Sequence, residues 1–289
     1  MSDNVMPELQ NLEAFEVSIE NHIAHITLSR PEALNSMNAA FWRELPKIAR
    51  ALDRAAAARV IVISSTGKHF SAGMDLSVFA NMGSTAGLEA ARRNEQTRRT
   101  VLELQDSFNA LEEVRMPVLV AIHGGCIGGA IDMVSACCSR YCTADSFFNI
   151  KETTIGMTAD VGTLQRLPHL ISHGLVRELA YTSRNMLADE AKACGLVNHV
   201  YKNQAEMLAA VMGIAAQIAA NSPLAVAGTK QQLNYTRDHS VADSLDYMAT
   251  WQSGMLQTQD VAEAMTAKME KREAVYDDLW SFNAPIESK

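Results

Sequence analysis

Residues 117–133 combine a buried-strand pattern, a glycine-rich turn and the start of a helix, and the turn reads His123-Gly124-Gly125-Cys126-Ile127-Gly128-Gly129. The first amide N–H groups of a helix have no intrahelical acceptor and carry the positive end of the helix dipole, and glycines let another group approach them closely. Such a place can stabilise an oxyanion. Asp132 follows Gly129 by about one helical turn, so an amide donor and a carboxylate form one local unit.

Other uses of this turn are less consistent with its residues. A dinucleotide-binding turn is disfavoured because the G-x-G-x-x-G motif is incomplete, with Cys126 at the second glycine position. The chain also lacks a P-loop, a G-x-S-x-G nucleophile turn and an H-E-x-x-H metal motif. Glycines that serve only close packing remain an equally good explanation of this passage taken alone.

Two further loops carry residues that could act on the same ligand. The first, residues 70–76, reads Phe-Ser-Ala-Gly-Met-Asp-Leu and follows a predicted strand; by itself it is an ordinary turn. The second, residues 151–161, holds Glu152 and Asp160 among apolar and small neighbours. A carboxylate in such surroundings is costly unless it is paired or used. A lone acid in such a loop is usually solvated, whereas two of them are more suggestive of a functional use.

The elements that must position these loops are predicted as strands alternating with helices. Alternating apolar residues predict a hairpin over 15–20 and 23–28, and apolar runs predict buried strands at 60–64 and 117–122. Further strands are expected near 146–150 and 197–201, and helices over 39–57, 88–114, 128–138 and from Pro223 onward. The pattern predicts an α/β core followed by a helical C-terminal region.

Composition limits the partners of the chain. With 48% hydrophobic and 20% charged residues, the 289 residues suffice for a sizeable core, and the net charge of −8 argues against a nucleic-acid partner. No run approaches the 18 apolar residues of a membrane span. No address segment is recognised, so a cytoplasmic location is expected by default, with an organelle as the alternative. The five cysteines are expected to be reduced, mostly buried thiols, with no metal site: Cys126, Cys137, Cys138, Cys142 and Cys194.

Taken together, these passages resemble the crotonase (enoyl-CoA hydratase/isomerase) superfamily. The matching segments are 26–35, 70–76, 122–132 and 162–168, in the order of that family, and the resemblance spans roughly residues 15–280. It implies a crotonase-like spiral of ββα repeats with a C-terminal helical trimerisation region. Residues 1–205 would form the α/β core and residues 206–289 the oligomerisation region. A homotrimer or a dimer of trimers is expected.

The resemblance also assigns roles to individual residues. The thioester oxygen of an acyl-CoA substrate would lie between the N–H groups of Met74 and Gly129. The coenzyme A part would lie along four residues, Arg30, Ala33, Ala72 and Gly73. Lys268, Lys271 and Arg272 are weaker candidates for its phosphates, since a solvated helix face explains them equally well. No cofactor beyond the coenzyme A of the substrate is expected.

The acids distinguish subfamilies. Asp132, Glu152 and Asp160 resemble the catalytic residues of Δ3,5-Δ2,4-dienoyl-CoA isomerases, whereas hydratases carry Glu at the first position and a small residue at the third. Glu152 would take a proton from C2 and Asp132 would deliver one to C6, with Asp160 tuning the balance or acting only as a structural acceptor. Met74 is bulkier than the Ala usual in the family, which bears on acyl chain length.

Two other functions remain open. A 2-enoyl-CoA hydratase would use two of the acids to hold and activate water. A non-catalytic acyl-CoA-binding homologue would keep the fold but lose the acids, all three of which are present here.

Overall fold

A hairpin of alternating buried and exposed residues begins the main sheet. The structure, a computed structural model, describes residues 6, 9–75, 77–78 and 89–282. Strands β1 (Phe15–Glu20) and β2 (Ile23–Leu28) pair antiparallel, from Phe15 opposite Leu28 to Glu20 opposite Ile23. The two turn residues, Asn21 and His22, both have positive φ, as a tight two-residue hairpin turn requires.

Seven more strands extend this sheet and form a second, smaller one in the described residues. The main sheet continues in parallel with β3 (Val60–Ser65), β4 (Val118–Ile122), β6 (Ser139–Thr143) and β9 (His199–Tyr201). The small sheet contains β5 (Gly125–Ile127), β7 (Phe147–Asn149) and β8 (Met186–Leu187), in the order β5-β7-β8. The chain therefore leaves the main sheet directly after β4 and enters the small sheet as β5.

Helices cover the sheets and form the C-terminal region: α1 (Ala39–Arg54), α2 (Ala90–Glu113), α3 (Gly129–Ser135), α4 (Thr163–Arg166), α5 (His173–Thr182), α6 (Ala188–Ala193), α7 (Gln204–Ala219), α8 (Pro223–Thr236), α9 (Val241–Met255) and α10 (Gln259–Glu270). Short 3-10 turns occupy Pro31–Ala33, Glu152–Ile155 and Leu167–His169. Among the described residues, no single helix combines the length and hydropathy of a membrane span, whereas α7 and α8 pass that test only as a pair bent by 107°.

The core lies on both faces of the main sheet because successive strand residues point to opposite sides. Ile61 and Ile63 of β3 belong to the large cluster that also contains the buried faces of α1 and α2. Val60 and Val62 belong to a second cluster on the other face, which helix α7 closes with Met207, Val211 and Ala215. All the central strand residues are thus buried, as in parallel sheets covered on both sides.

The C-terminal helices stand beyond this core. Lys230 of α8 is buried and donates to three main-chain oxygens at the end of α2, those of Leu111, Val114 and Met116, at 2.7–2.9 Å. Helices α9 and α10 and the turn between them expose large apolar side chains: Val241, Leu245, Leu256, Met265 and Met269. The following segment returns to the core, where Asp278 pairs with Arg59 at 2.6 Å.

The α/β core and the helical C-terminal region expected from the sequence are confirmed, with local differences. The hairpin and the buried strands lie where the pattern predicts them. The helix predicted over 128–138 ends at Ser135, because the Cys138 N–H donates to Val118 O at 2.8 Å and starts β6, a strand the sequence did not predict. Helix α1 stops at Arg54 instead of residue 57, since Ala56 has a φ of 48°. The predicted start of α2 at Leu88 lies outside the described residues.

Candidate active site

The small sheet places two of the candidate loops side by side. Strands β5 and β7 pair in parallel with Ile127 opposite Asn149, and the Gly128 N–H donates to Asn149 O at 2.8 Å. Gly129, at the start of α3, and Glu152, in the 3-10 turn, each follow this pairing within three residues. The strand register alone therefore brings the helix amide and the carboxylate to one end of the sheet.

The loop at residues 70–75 is joined to the same edge by main-chain contacts. Ser71 forms a parallel bridge with Cys126 of β5, and Met74 forms one with Met37. The Met37 N–H donates to Gly73 O at 2.8 Å and the Asp75 N–H to Met37 O at 3.2 Å. In a parallel bridge of this kind the N–H of the central residue points away from its partner. The Met74 N–H is therefore directed away from Met37.

The main-chain amides of Gly129 and Met74 consequently lie close together, and neither has a hydrogen-bond acceptor among the described residues. Gly129 is the first residue of α3, so its N–H has no intrahelical acceptor, and no described residue accepts a hydrogen bond from it or from Met74. A Cβ built on Gly129 would lie 3.8 Å from Met74 N. Gly73, with a φ of +84°, permits this approach, because a Cβ there would lie 2.6 Å from Ile127 O and 3.3 Å from Gly129 N.

Asp132 is fully buried one turn into α3. Its Oδ1 accepts a hydrogen bond of 2.6 Å from the Thr163 N–H, whereas its buried Oδ2 has no partner among the described residues. Burial raises the pKa of Asp132 to about 7; the Thr163 hydrogen bond opposes this, and the charges of Glu152 and Asp160 add to it. Near neutral pH this carboxyl group is therefore poised between its acid and base forms.

Glu152 lies on the other side of the helix start. Its Oε1 would be 3.2 Å from a Cβ built on Gly128, and its buried Oε2 has no partner in the described part of the chain. Burial raises the pKa of Glu152, and the neighbouring Asp160 charge raises it further.

Asp160 is half-buried, and burial raises its pKa as well. Its main-chain oxygen accepts a hydrogen bond of 2.7 Å from Gln105 of α2. The charges of Glu152 and Asp160 both raise the pKa of Asp132, so the three predicted acids are close enough to interact, and their repulsion favours the protonated form of Asp132.

The residues predicted to lie along coenzyme A are also neighbours. The Ala72 N–H donates to Leu34 O at 3.0 Å, so the turn that contains Arg30 and Ala33 lies against the loop that contains Gly73. Arg30 donates to Ser36 O at 2.7 Å and lies 3.8 Å from the Asp75 carboxylate. Of the weaker phosphate candidates, Arg272 is already paired with Glu263 and Glu270.

The cysteines behave largely as expected. Cys126, Cys137 and Cys142 are buried, Cys194 is half-buried and Cys138 is exposed. Burial raises the pKa of Cys137 and of Cys142 to about 12, so both thiols stay protonated. The part of the chain that the structure describes contains no group of three or more His, Cys, Asp or Glu side chains arranged to hold a metal ion.

Sequence reasoning missed the residue that orients Asp132. Thr163 stands within the segment 162–168 that the resemblance used, but a hydrogen bond from its main-chain amide leaves no signature in residue type. The Oγ1 of Thr163 is buried without a partner among the described residues, like Asp132 Oδ2 and Glu152 Oε2. Buried polar atoms that the protein itself does not satisfy are uncommon, and these three lie at the candidate site.

Comparison with known proteins places this chain in a family. Residues 18–279 match the family described as enoyl-CoA hydratase/isomerase. The chain is 48% identical over 266 residues to the mitochondrial Delta(3,5)-Delta(2,4)-dienoyl-CoA isomerase of Mus musculus, which covers 91% of this chain and 81% of that protein. It is 41% identical over 276 residues to the peroxisomal Delta(3,5)-Delta(2,4)-dienoyl-CoA isomerase of Arabidopsis thaliana, covering 95% of this chain and 99% of that one.

A solved structure agrees. The putative enoyl-CoA hydratase of Thermobifida fusca, crystallised in complex with acetoacetyl-CoA, superposes with a TM-score of 0.76 at 28% identity, covering 86% of this chain and 96% of that chain. The fold is that of the crotonase-type enzymes. This chain belongs to the enoyl-CoA hydratase/isomerase family, and it is an enzyme, as the sequence predicted. The expected cytoplasmic location is wrong, because the two relatives are named mitochondrial and peroxisomal.

Proposed function

We propose that this enzyme converts 3,5-dienoyl-CoA thioesters into 2,4-dienoyl-CoA thioesters. The observation that carries the proposal is the juxtaposition of two free main-chain amides with three carboxyl groups of raised pKa. The names of the mouse and Arabidopsis relatives support the same reaction.

The amides stabilise negative charge on the thioester oxygen. Removal of the C2 proton turns the thioester into an enolate, whose oxygen lies between the N–H groups of Met74 and Gly129. Each donor of an oxyanion hole of this kind lowers the barrier by roughly 3 kcal/mol, because the dipoles are fixed before the charge develops. Both donors belong to the main chain and are held by the strand pairing.

The carboxyl groups move the proton. Glu152 takes the proton from C2, the C2=C3 and C4=C5 double bonds form as C3=C4 and C5=C6 are lost, and protonated Asp132 delivers a proton to C6. One turnover leaves Glu152 protonated and Asp132 ionised, so a proton must return between them before the next. The mutual repulsion of Asp132, Glu152 and Asp160 keeps one proton within the cluster. We assign Asp160 to this balance.

Ultraviolet absorbance tests the reaction directly. A 3,5-dienoyl-CoA brings its diene into conjugation with the thioester on isomerisation, so absorbance of the conjugated product should rise when enzyme is added. Asp132→Asn and Glu152→Gln should each lower the rate by orders of magnitude while folding and acyl-CoA binding, followed by calorimetry, persist. Full activity in either variant would remove the assignment.

Hydration of 2-enoyl-CoA is the second candidate. The buried, unpartnered oxygens of Asp132 and Glu152 favour it, since they could both hold a water molecule beside the substrate. The same assay separates the two, because hydration removes the conjugation of a 2-enoyl-CoA and its absorbance falls. Rapid turnover of 2-enoyl-CoA together with inert 3,5-dienoyl-CoA would establish the hydratase.

We propose that coenzyme A lies along Arg30, Ala33, Ala72 and Gly73. The contact between their two segments forms one continuous edge beside the amide pair. Arg30→Gln should raise KM for acyl-CoA, measured by steady-state kinetics, with little change in kcat. An unchanged KM would place coenzyme A elsewhere.

We propose that the C-terminal region, residues 206–289, joins copies of the chain into a homotrimer or a dimer of trimers. The large apolar side chains exposed on α9 and α10 support a protein interface there. Light scattering should give three or six times the 31.5 kDa of one chain, and Leu245→Glu should lower that mass. A monomeric mass for the unmodified protein would refute the assembly.

A further inference from the structure

One face of helix α2 holds the loop that orients Asp132. Gln105, Asn109 and Glu112 follow one another at spacings of four and three residues, so they share one face of the helix. Gln105 donates to Asp160 O at 2.7 Å, and Arg166 donates to Asn109 Oδ1 at 2.6 Å and to Glu112 Oε2 at 2.8 Å. Both ends of the segment 160–166 are therefore attached to α2.

The ion pair of Arg166 and Glu112 is the strongest of these attachments. The two side chains are 11% and 16% exposed, so water screens the pair little. Burial alone would raise the pKa of Glu112, but Arg166, with the second cation Arg237 of the C-terminal region, holds it below its ordinary value. Glu112 therefore stays ionised and keeps its hold on Arg166 throughout the neutral range.

Arg166 in turn fixes the backbone that faces Asp132. Its guanidinium lies across Gly162, where a Cβ would be only 1.9 Å from Nη1, and it also donates to Val161 O at 3.4 Å. Gly162 has a φ of +134°, so no other residue would fit this position without strain. The next amide along, that of Thr163, donates to Asp132 Oδ1.

Resting on the proposed function, we propose that Glu112 and Arg166 form a positioning pair: acting through the Thr163 main-chain N–H, they set the orientation and proton affinity of Asp132. Neither side chain touches the reacting atoms. The pair presents the amide to Oδ1, leaving Oδ2 as the oxygen that carries the transferred proton. The other ionisable groups that face Asp132 are Glu152, Asp160 and the Cys126 thiol, none of which belongs to the pair.

Glu112→Gln separates this positioning from simple charge effects. If the pair acts only through its charges, removing the negative charge of Glu112 should lower the pKa of Asp132 or leave it unchanged. Loosening the Thr163 hydrogen bond should instead raise that pKa, because the bond stabilises the carboxylate. Arg166→Lys preserves the charge but cannot span Val161, Asn109 and Glu112 together. Glu113→Gln is the matched control, since Glu113 neighbours Glu112 on α2 but pairs with Arg50.

The measurement is an infrared pH titration of the protonated carboxyl C=O band, identified as the band that Asp132→Asn removes. The unmodified enzyme should titrate near 7. The midpoint should rise by about half a pH unit in Glu112→Gln and by about one pH unit in Arg166→Lys, because both changes weaken the hydrogen bond to the Asp132 carboxylate. It should stay fixed in the control Glu113→Gln. In the isomerase assay, kcat should fall about threefold to tenfold with KM unchanged, and the basic limb should move to higher pH with the midpoint.

An unchanged or lowered midpoint in folded Glu112→Gln enzyme overturns the proposal, as does an equal shift in Glu113→Gln. The infrared midpoints need no turnover. If the unmodified enzyme fails to isomerise dienoyl-CoA, the proposed reaction falls while the midpoints still decide whether the pair positions Asp132.

Discussion

Asp132 should lower the stability of the enzyme that it serves. Its pKa of about 7 in the folded chain compares with an ordinary value of 3.8, a rise of about three units. When the pKa of a carboxyl group is higher in the folded than in the unfolded chain, the folded protein loses stability as the pH rises from the unfolded to the folded value. The unfolded chain releases the proton first and is favoured over this range. At 1.36 kcal/mol per unit, ionising Asp132 costs about 4 kcal/mol of folding free energy above pH 7.

Asp132→Asn removes this cost while retaining the contact that holds the side chain. The amide oxygen of Asn can still accept from the Thr163 N–H, and its NH2 group replaces an oxygen that already has no partner among the described residues. Leaving that NH2 group unpaired costs roughly 1–2 kcal/mol. The variant should therefore be inactive and yet more stable than the natural chain by about 2–3 kcal/mol at pH 8.

Urea unfolding at a fixed protein concentration measures the effect. The stability gained by Asp132→Asn should grow by about 2–3 kcal/mol between pH 5 and pH 8, because over that window the folded carboxyl resists ionisation while the unfolded one is already charged. The control Glu16→Gln, on an exposed position of β1, should show no such growth. A stability difference independent of pH, or a variant less stable at pH 8, would refute the raised pKa on which the proton transfer relies.

Three further changes test the amide pair and the helices. Gly129→Ala would place a methyl group 3.0 Å from Met37 Sδ and 3.8 Å from Met74 N, so kcat should fall about a hundredfold with nearly unchanged thermal stability. The control Gly174→Ala, whose methyl group meets nothing within 4 Å, should leave kcat intact. Equal kcat values for the two variants would argue against a role for the Gly129 amide. Met74→Ala keeps the main-chain donor but shortens a half-buried side chain, so the preference in kcat/KM should move severalfold toward substrates with longer acyl groups. An unchanged preference would exclude Met74 from the acyl channel. Gly213→Ala, in open space on α7, should raise the unfolding free energy by about 0.5–1 kcal/mol in urea, and a loss of stability would contradict the helical environment assigned to it.

The sequence predicted the strands that alternate or run apolar, and it failed where burial has another cause. Strand β6 contains Arg140, which reads as a surface residue but is 5% exposed because its guanidinium donates to Leu196 O and Cys137 O, both at 2.7 Å. Propensity and periodicity carry no signal for a buried charge satisfied by main-chain oxygens. The short strands β5 and β8 were missed since two or three residues show no period.

The sequence proposes the residues of the candidate site by type, and the structure adds their contacts. Asp132, Glu152 and Asp160 were recognisable from their spacing within family segments, and the structure brings them together. The contact that orients Asp132 joins residues 31 positions apart through a main-chain amide, and local sequence cannot specify such a contact. The direction and size of the pKa shift depend on burial by the whole fold, so they too required the structure.

Because the groups assigned to the thioester oxygen are peptide N–H dipoles, the donor at position 74 does not depend on which side chain stands there, provided the backbone path is kept. Substitution can therefore reshape the acyl channel at Met74 without deleting a donor, and substrate range can drift under selection while the electrostatic machinery stays constant. An insertion or deletion between Ser71 and Met74, or between Cys126 and Gly129, would do the opposite, since it would slide one dipole past the other.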